Sequence, residues 1–337
     1  MSVSYSRIHN PGFRARGPHH DFLPITMKAP HLTAKASRHR IPIVLTFLLI
    51  VQAASSPNST KSDIEQEVRY RKNREAWMRS PESPLALAGL FWLKAGINRF
   101  GTDQRNEVVL PEGTAVARAG YFRVNGRHIG IVVESPSAAV YLDHQRITER
   151  ELKTDADGQT PDLLQIGDIR MKPIERGEWI GVRLIDLRNP LLGGFSHLNF
   201  YDIDLMYRVE GKFAPYHPAK RIQVASITGQ VEQMLCPGVV RFILGGKSYS
   251  LEPVFETARA KELFFMFKDA TNGSETYEGG RYLYAELPRG DRVVLNFNRA
   301  HNPYCAYNSF STCQVPPFQN WLKVPIRAGE KKYSLSH

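Results

Sequence analysis

The sequence predicts a mainly β protein, an antiparallel β-sandwich or a pair of barrel-like halves with one N-terminal helix, on three observations. From residue 85 onward, short apolar or alternating runs separated by Gly, Pro and Asn recur about every eight to twelve residues. These runs do not alternate with long helical patterns, so βαβ units around a parallel sheet are not expected. The run Arg292 to Asn298 carries the period of two directly: Val293, Leu295 and Phe297 share one face, Asn296 and Asn298 the other.

Taken in order, the chain opens with a leader. Residues 1–40 hold seven basic groups against the single acid Asp21, and they account for more than half of the formal charge of +11 on 337 residues. The stretch Ile41 to Val51 follows, with Thr46 as its one polar member, and then Gln52-Ala53-Ala54-Ser55-Ser56. A basic region, a short apolar core and a small-residue exit describe a secretory signal peptide, cleaved after Ala53 or Ala54. An apolar core this short falls below the roughly 20 residues that span a bilayer. An uncleaved membrane anchor is the alternative, and only then is a membrane partner expected. Either way the body of the chain is expected outside the cytoplasm, periplasmic or secreted. Met27 is the more ordinary start, because it leaves fourteen residues before Ile41.

Residues 55–84 read as a polar linker and a helix. Ser62 and Glu65 have capping-box spacing, Ile64, Val68, Tyr70 and Trp77 form a weak apolar stripe, and Ser80-Pro81-Glu82-Ser83-Pro84 ends it. The strands that follow are expected at 87–93, 129–134, 140–142, 169–174, 179–185, 207–213, 222–227, 239–244, 248–254, 263–267, 281–287, 293–297 and 322–326. A break near residues 186–204 separates an N-terminal β subdomain (85–200) from a C-terminal one (201–333).

Composition excludes several classes. With 42% apolar and 10% aromatic residues the chain is neither disordered nor fibrous, and with three cysteines it is not a disulfide-dense mini-protein. Outside the leader the charge is about +5, with no basic cluster longer than Arg69 to Arg74, so no nucleic-acid partner is expected. Nucleophile-elbow, His-Glu-x-x-His, P-loop and dinucleotide signatures do not occur.

Three polar constellations carry the chemical candidates. Asp269, Thr271, Glu275, Thr276, Tyr277 and Arg281 crowd one Gly-containing loop. Asp269 and Glu275 are candidate acid and base, Tyr277 a third catalytic candidate, and Arg281 a clamp for an anionic group. The same residues also suit a turn fixed by a buried Asp–Arg pair. Asn296, Asn298, Arg299 and Asn302 form an amide and guanidinium set that suits either a polar pocket or a tether for the Pro-rich segment 302–320. Cys305 and Cys313, with seven residues between them, suit a structural disulfide in an oxidising compartment. Two free thiols are the bland alternative, and adding His301 makes a zinc set the sharp one. No other cofactor is indicated.

The run Phe264 to Gly273, then Glu275 to Leu283, Asn296 to Ala300, Asn302-Pro303 and Cys305-Ala306, resembles the family called domain of unknown function 1684. The likeness continues through Thr312-Cys313, Pro316-Pro317, Asn320, Leu322 and Ala328 to Lys331. Upstream it takes in Gly89 to Leu93, Gly181 to Leu184 and Tyr207 to Val209. The family implies a fold and preferred positions but no established activity. It typically has Asp, Tyr and Pro where this chain has Asn296, His301 and Tyr304. Separately, Leu93 to Thr102 with Val108 to Leu110 is similar to the opening of a forkhead-associated domain, without the Ser-x-x-His that phosphothreonine binding would need. We read this second likeness as a shared sandwich shape over 85–200.

The expected function is therefore the binding of a small polar or anionic ligand. The alternatives are a hydrolase or isomerase with Asp269 or Glu275 as base, and a structural cell-surface protein.

Overall fold

The computed structural model describes residues 57–334, so the leader expected over 1–54 lies outside the described residues. The first element, α1 (Pro57–Met78), begins five residues before Ser62, whose capping-box spacing is therefore not used as a cap. Proline, with its fixed φ and no N–H to leave unpaired, suits a first helical position. The apolar stripe is split: Ile64 and Val68 point outward, 39% and 54% exposed, whereas Tyr70 and Trp77 pack inward. The inward face carries Glu67, Arg71, Arg74 and Met78, at spacings of three and four residues, and Glu67 is only 3% exposed. This helix is thus seated largely by charged side chains.

The N-terminal half contains β1 (Leu87–Trp92), β2 (Gly96–Gly101), β3 (Val108–Val109), β4 (Gly120–Asn125), β5 (His128–Val133), β6 (Tyr141–Leu142), β7 (Gln145–Arg146), β8 (Glu149–Leu152), β9 (Leu164–Ile166), β10 (Ile169–Arg176) and β11 (Trp179–Asp186). One sheet has the order β1-β11-β10-β9-β6-β7 and the other β3-β2-β4-β5-β8, antiparallel except for the β2–β3 pair. Phe100, Phe122 and Ile131 from one sheet and Leu164, Met171 and Val182 from the other enter a single buried core. Strands β2 and β4 escaped sequence reading, because Gly and polar residues at their ends mask the short apolar centre.

A short helix, α2 (Pro190–Gly193), follows within the segment read as a break. The C-terminal half contains β12 (Arg208–Ala225), β13 (Val231–Leu244), β14 (Lys247–Leu251), β15 (Glu262–Phe267), β16 (Arg281–Glu286) and β17 (Arg292–Asn296). One antiparallel sheet has the order β14-β13-β12-β17, and β15 pairs with β16. The strands expected at 207–213 and 222–227 are one 18-residue strand, whose register shifts between Pro215 and Lys220. An irregularity there accommodates prolines that cannot donate to the ladder, so the chain stays extended where the sequence suggests a turn. Residues 322–326 form no strand; Leu322 N–H donates to the Lys268 carbonyl at 2.8 Å and Ala270 N–H to Val324 at 3.1 Å. The core holds Phe265, Phe267, Leu283, Val293, Leu295 and Phe297. The inward alternation of β17 is therefore as read for Val293 and Leu295, and Asn296 on the other face meets α1 at Glu67, while Asn298 lies past the strand end and bonds the Asp204 backbone.

Candidate functional site

The loop between β15 and β16 is a closed hydrogen-bonded turn. Asp269 Oδ1 accepts from Thr271 N–H at 2.9 Å, Thr271 Oγ1 at 2.6 Å and Ile326 N–H at 3.1 Å. Its Oδ2 accepts from Arg281 Nη2 at 2.7 Å, and neither side chain exposes any surface. Arg281 also donates to the carbonyls of Ile326 and Ala328. A guanidinium with no exposed surface, bonded to a buried carboxylate and two carbonyls, presents no solvent-open edge to a ligand, so the expected clamp at Arg281 is corrected to a structural tie between loop 269–280 and segment 326–330.

Glu275 lies elsewhere. Its carboxylate, 38% exposed, takes Arg327 Nη2 at 3.0 Å and the Tyr201 hydroxyl at 3.1 Å. Hydrogen bonds from Arg327, above all, hold it below the usual carboxylate range, which makes it a poor base at neutral pH. Tyr277 donates to the Cys305 carbonyl at 3.3 Å, and burial pushes its phenol up. The two carboxyl groups thus face separate environments, and the acid–base pair expected of Asp269 and Glu275 is not assembled.

Of the amide and guanidinium set, Asn296 and Arg299 meet α1. Asn296 Nδ2 donates to Glu67 Oε1 at 2.9 Å, and Arg299 reaches the same carboxylate through Nε at 3.0 and 3.1 Å and Nη2 at 2.8 Å. Tyr70 of α1 donates to the Arg299 carbonyl at 3.1 Å. Asn298 is fully buried and exchanges bonds with the Asp204 backbone at 2.8 and 3.0 Å. Asn302 is a tether too: its N–H donates to Glu330 and its Nδ2 to the Lys331 carbonyl, each at 2.8 Å. Only Asn296 and Arg299 of this set border open space, a groove of about 460 Å³ lined also by Gln66, Arg208, Tyr284 and Arg292.

Sequence reasoning missed Glu330. It is 1% exposed and accepts from Arg74 Nε, Tyr307 hydroxyl and Asn302 N–H, all at 2.8 Å. Burial pushes its pKa up, but the Arg74 charge and these donors outweigh that and hold it below its ordinary value. A lone acid after a glycine, in a segment otherwise without charge pairing by sequence, is a weak signal, and its partner lies 256 positions away. His301 packs flat on Tyr284, with ring centroids 5.8 Å apart, and burial followed by the Arg74 charge lowers its pKa to about 4.

The alternative zinc set of His301, Cys305 and Cys313 is not assembled, since no three His, Cys, Asp or Glu side chains converge among the described residues. The expected disulfide is not formed either: Cys305 and Cys313 are free thiols, half-buried and adjacent, with Cys305 N–H donating to Cys313 Sγ at 3.3 Å.

The family described as "Protein of unknown function (DUF1684)" matches residues 193–331, and no curated protein gives a significant match. An uncharacterized protein of Haloarcula marismortui, solved by solution NMR, is 33% identical over 41% of this chain and 78% of its own, with a TM-score of 0.36. An FHA domain studied for phosphothreonine-dependent interactions is 18% identical over 28% of this chain and 90% of its own, with a TM-score of 0.21. The C-terminal match, together with the motifs of loop 269–281 and the Asn296 to Cys313 segment, identifies the chain as a member of the DUF1684 family of proteins of unknown function.

Proposed function

We propose that this protein is an exported module that binds a small anionic ligand, gripped by Asn296 and Arg299 at the end of the groove they border. The observation that carries this reading is the Glu67 carboxylate, which sits against one amide and one guanidinium at 2.8–3.1 Å. That donor set is selective for a planar anion, because the guanidinium and amide present their N–H groups in a fixed fork. Arg299 remains 38% exposed, so its outer edge is open to a ligand in the groove. The groove walls add Arg208, Arg289 and Arg292, opposed by Glu210, Glu262 and Glu286, which suits a ligand of mixed polarity better than a polyanion. The enzyme alternative loses its support with Asp269, whose lone pairs are already committed to Arg281, Thr271 and Ile326.

Asn296 matters specifically. An aspartate there, as is typical of the family, would place a second carboxylate 2.9 Å from Glu67, where like charges repel.

The test is thermal shift and calorimetry with a panel of small mono- and dicarboxylates and phosphate. A ligand should stabilise the wild type in proportion to ln(1 + [L]/Kd), lose at least about tenfold in affinity with Arg299→Ala, and gain with Glu67→Gln. Anion-dependent stabilisation that survives Arg299→Ala unchanged would sink the reading.

A further inference from the structure

The thiol pair has a surrounding that packing alone does not require. Cys305 stands on the turn Tyr304–Ala306, and Cys313 on the extended segment that follows the Asn308 to Ser311 loop. The Cys305 amide donates to Cys313 Sγ at 3.3 Å, and the two thiols interact directly. Arg183, on β11 of the other half, donates through Nη2 to Thr312 Oγ1 at 3.2 Å; its Nε is buried without a hydrogen-bond partner, and its charge acts on Cys313. Arg176 of β10 reaches the same hydroxyl at 3.2 Å. The remaining titratable neighbours are the phenols of Tyr277, Tyr282 and Tyr304, which stay protonated at neutral pH because burial pushes each of them up. Cys305 faces a cavity of about 350 Å³ lined by Ile227, Thr228, Asn308, Ser309 and Ser311.

We propose that Cys305 and Cys313 form an exchange-active dithiol, with Cys305 the sulfur open to the cavity and low-molecular-weight disulfides as its substrate class. The division of labour follows from position. Cys313, receiving the Cys305 thiol and amide with Arg183 nearby, is held below the ordinary thiol range, whereas Cys305 is held above it by its bond to Cys313. The exchange-competent form of the pair is the one that shares one proton between the two sulfurs and carries one negative charge.

When Cys305 sulfur attacks a disulfide RS–SR, its proton passes to Cys313, the S–S bond of RS–SR breaks with one RS⁻ leaving, and a mixed disulfide between Cys305 sulfur and the other SR forms. Cys313 then gives that proton to a thiolate and attacks Cys305 sulfur. The second RS⁻ departs, leaving the Cys305–Cys313 disulfide, one RSH and one RS⁻. In the reverse direction Cys313 is the leaving group, and an acidic leaving thiol leaves faster.

The full chain is incubated natively with oxidised glutathione, acid-quenched, alkylated and mapped by mass spectrometry. Of the three free thiols, Cys305 and Cys313 are expected to join, while buried Cys236 is alkylated only after unfolding. Cys313→Ser should accumulate one glutathione on Cys305, and Cys305→Ser should accumulate none. Alkylation of Cys313 should require a higher pH in Arg183→Met but not in Arg183→Lys. Wild-type protein that retains all its thiols under oxidised glutathione, or that takes glutathione on Cys236 or Cys313 with Cys305 untouched, overturns the proposal, and this arm needs no variant to fold.

Discussion

Asp269 and Arg281 meet at 2.7 Å with no exposed surface on either side chain. Such a pair is held in place by the further bonds around it: Thr271 and Ile326 donate to Asp269, and Arg281 donates to the Ile326 and Ala328 carbonyls, with Arg281 Nε alone left unpaired. Breaking it from one side leaves a bare buried charge. We expect Asp269→Ala or Arg281→Ala each to lower stability by about 3–5 kcal/mol in urea unfolding, and Asp269→Leu with Arg281→Met to cost less than the two single changes summed. Singles within about 0.5 kcal/mol of wild type would show that the pair is not what fixes the loop.

The helix α1 is fastened at Arg74, whose Nε lies 2.8 Å from the buried Glu330 carboxylate. Arg74→Ala should strand that carboxylate, cost about 3–5 kcal/mol and open α1 to proteolysis before the sheets unfold. Unchanged protection of α1 amides in hydrogen exchange would contradict this.

Acid should weaken the fold through His301. Its folded pKa of about 4 lies below the unfolded value of 6.5, so the unfolded chain binds more protons between those two values. Stability therefore falls as pH drops from about 6.5 towards 4, by at most about 3 kcal/mol from this group. Replacing His301 with Tyr, the residue typical of the family, should flatten that part of the pH–stability curve. An unchanged slope would refute the assignment to His301, since Glu330, whose pKa is depressed below 4.5, adds its own loss of stability mainly at lower pH.

Gly329 has φ of +79°, and a Cβ there would stand 2.3 Å from the Ala300 carbonyl oxygen. Gly329→Ala should cost at least about 1–3 kcal/mol, since both the backbone region and the space are denied to an L side chain. A thermal midpoint equal to wild type would refute the constraint.

Export is tested at the N-terminus. Protein recovered from its native host should begin at Ala54 or Ser55 if the leader is cleaved where Ala53 and Ala54 suggest. A mature chain beginning at Met1 or Met27 would instead favour the uncleaved anchor.

The sequence alone determined the β architecture, the buried face of β17 and the family, because period-two alternation, turn residues and spaced identities are local properties of the chain. Its densest polar cluster was also real. What only the tertiary structure decided is which of those polar groups is free. Arg281 and Asp269 are consumed by each other, twelve residues apart. Asn296 and Arg299 receive Glu67 from 229 and 232 positions away. The stripe of Ile64 and Val68 reads as an inward face and lies outward, since ion pairs on the opposite side of α1 set its rotation. Charge pairing across long sequence separations leaves no periodic trace, so a site built from it emerges only when the chain folds.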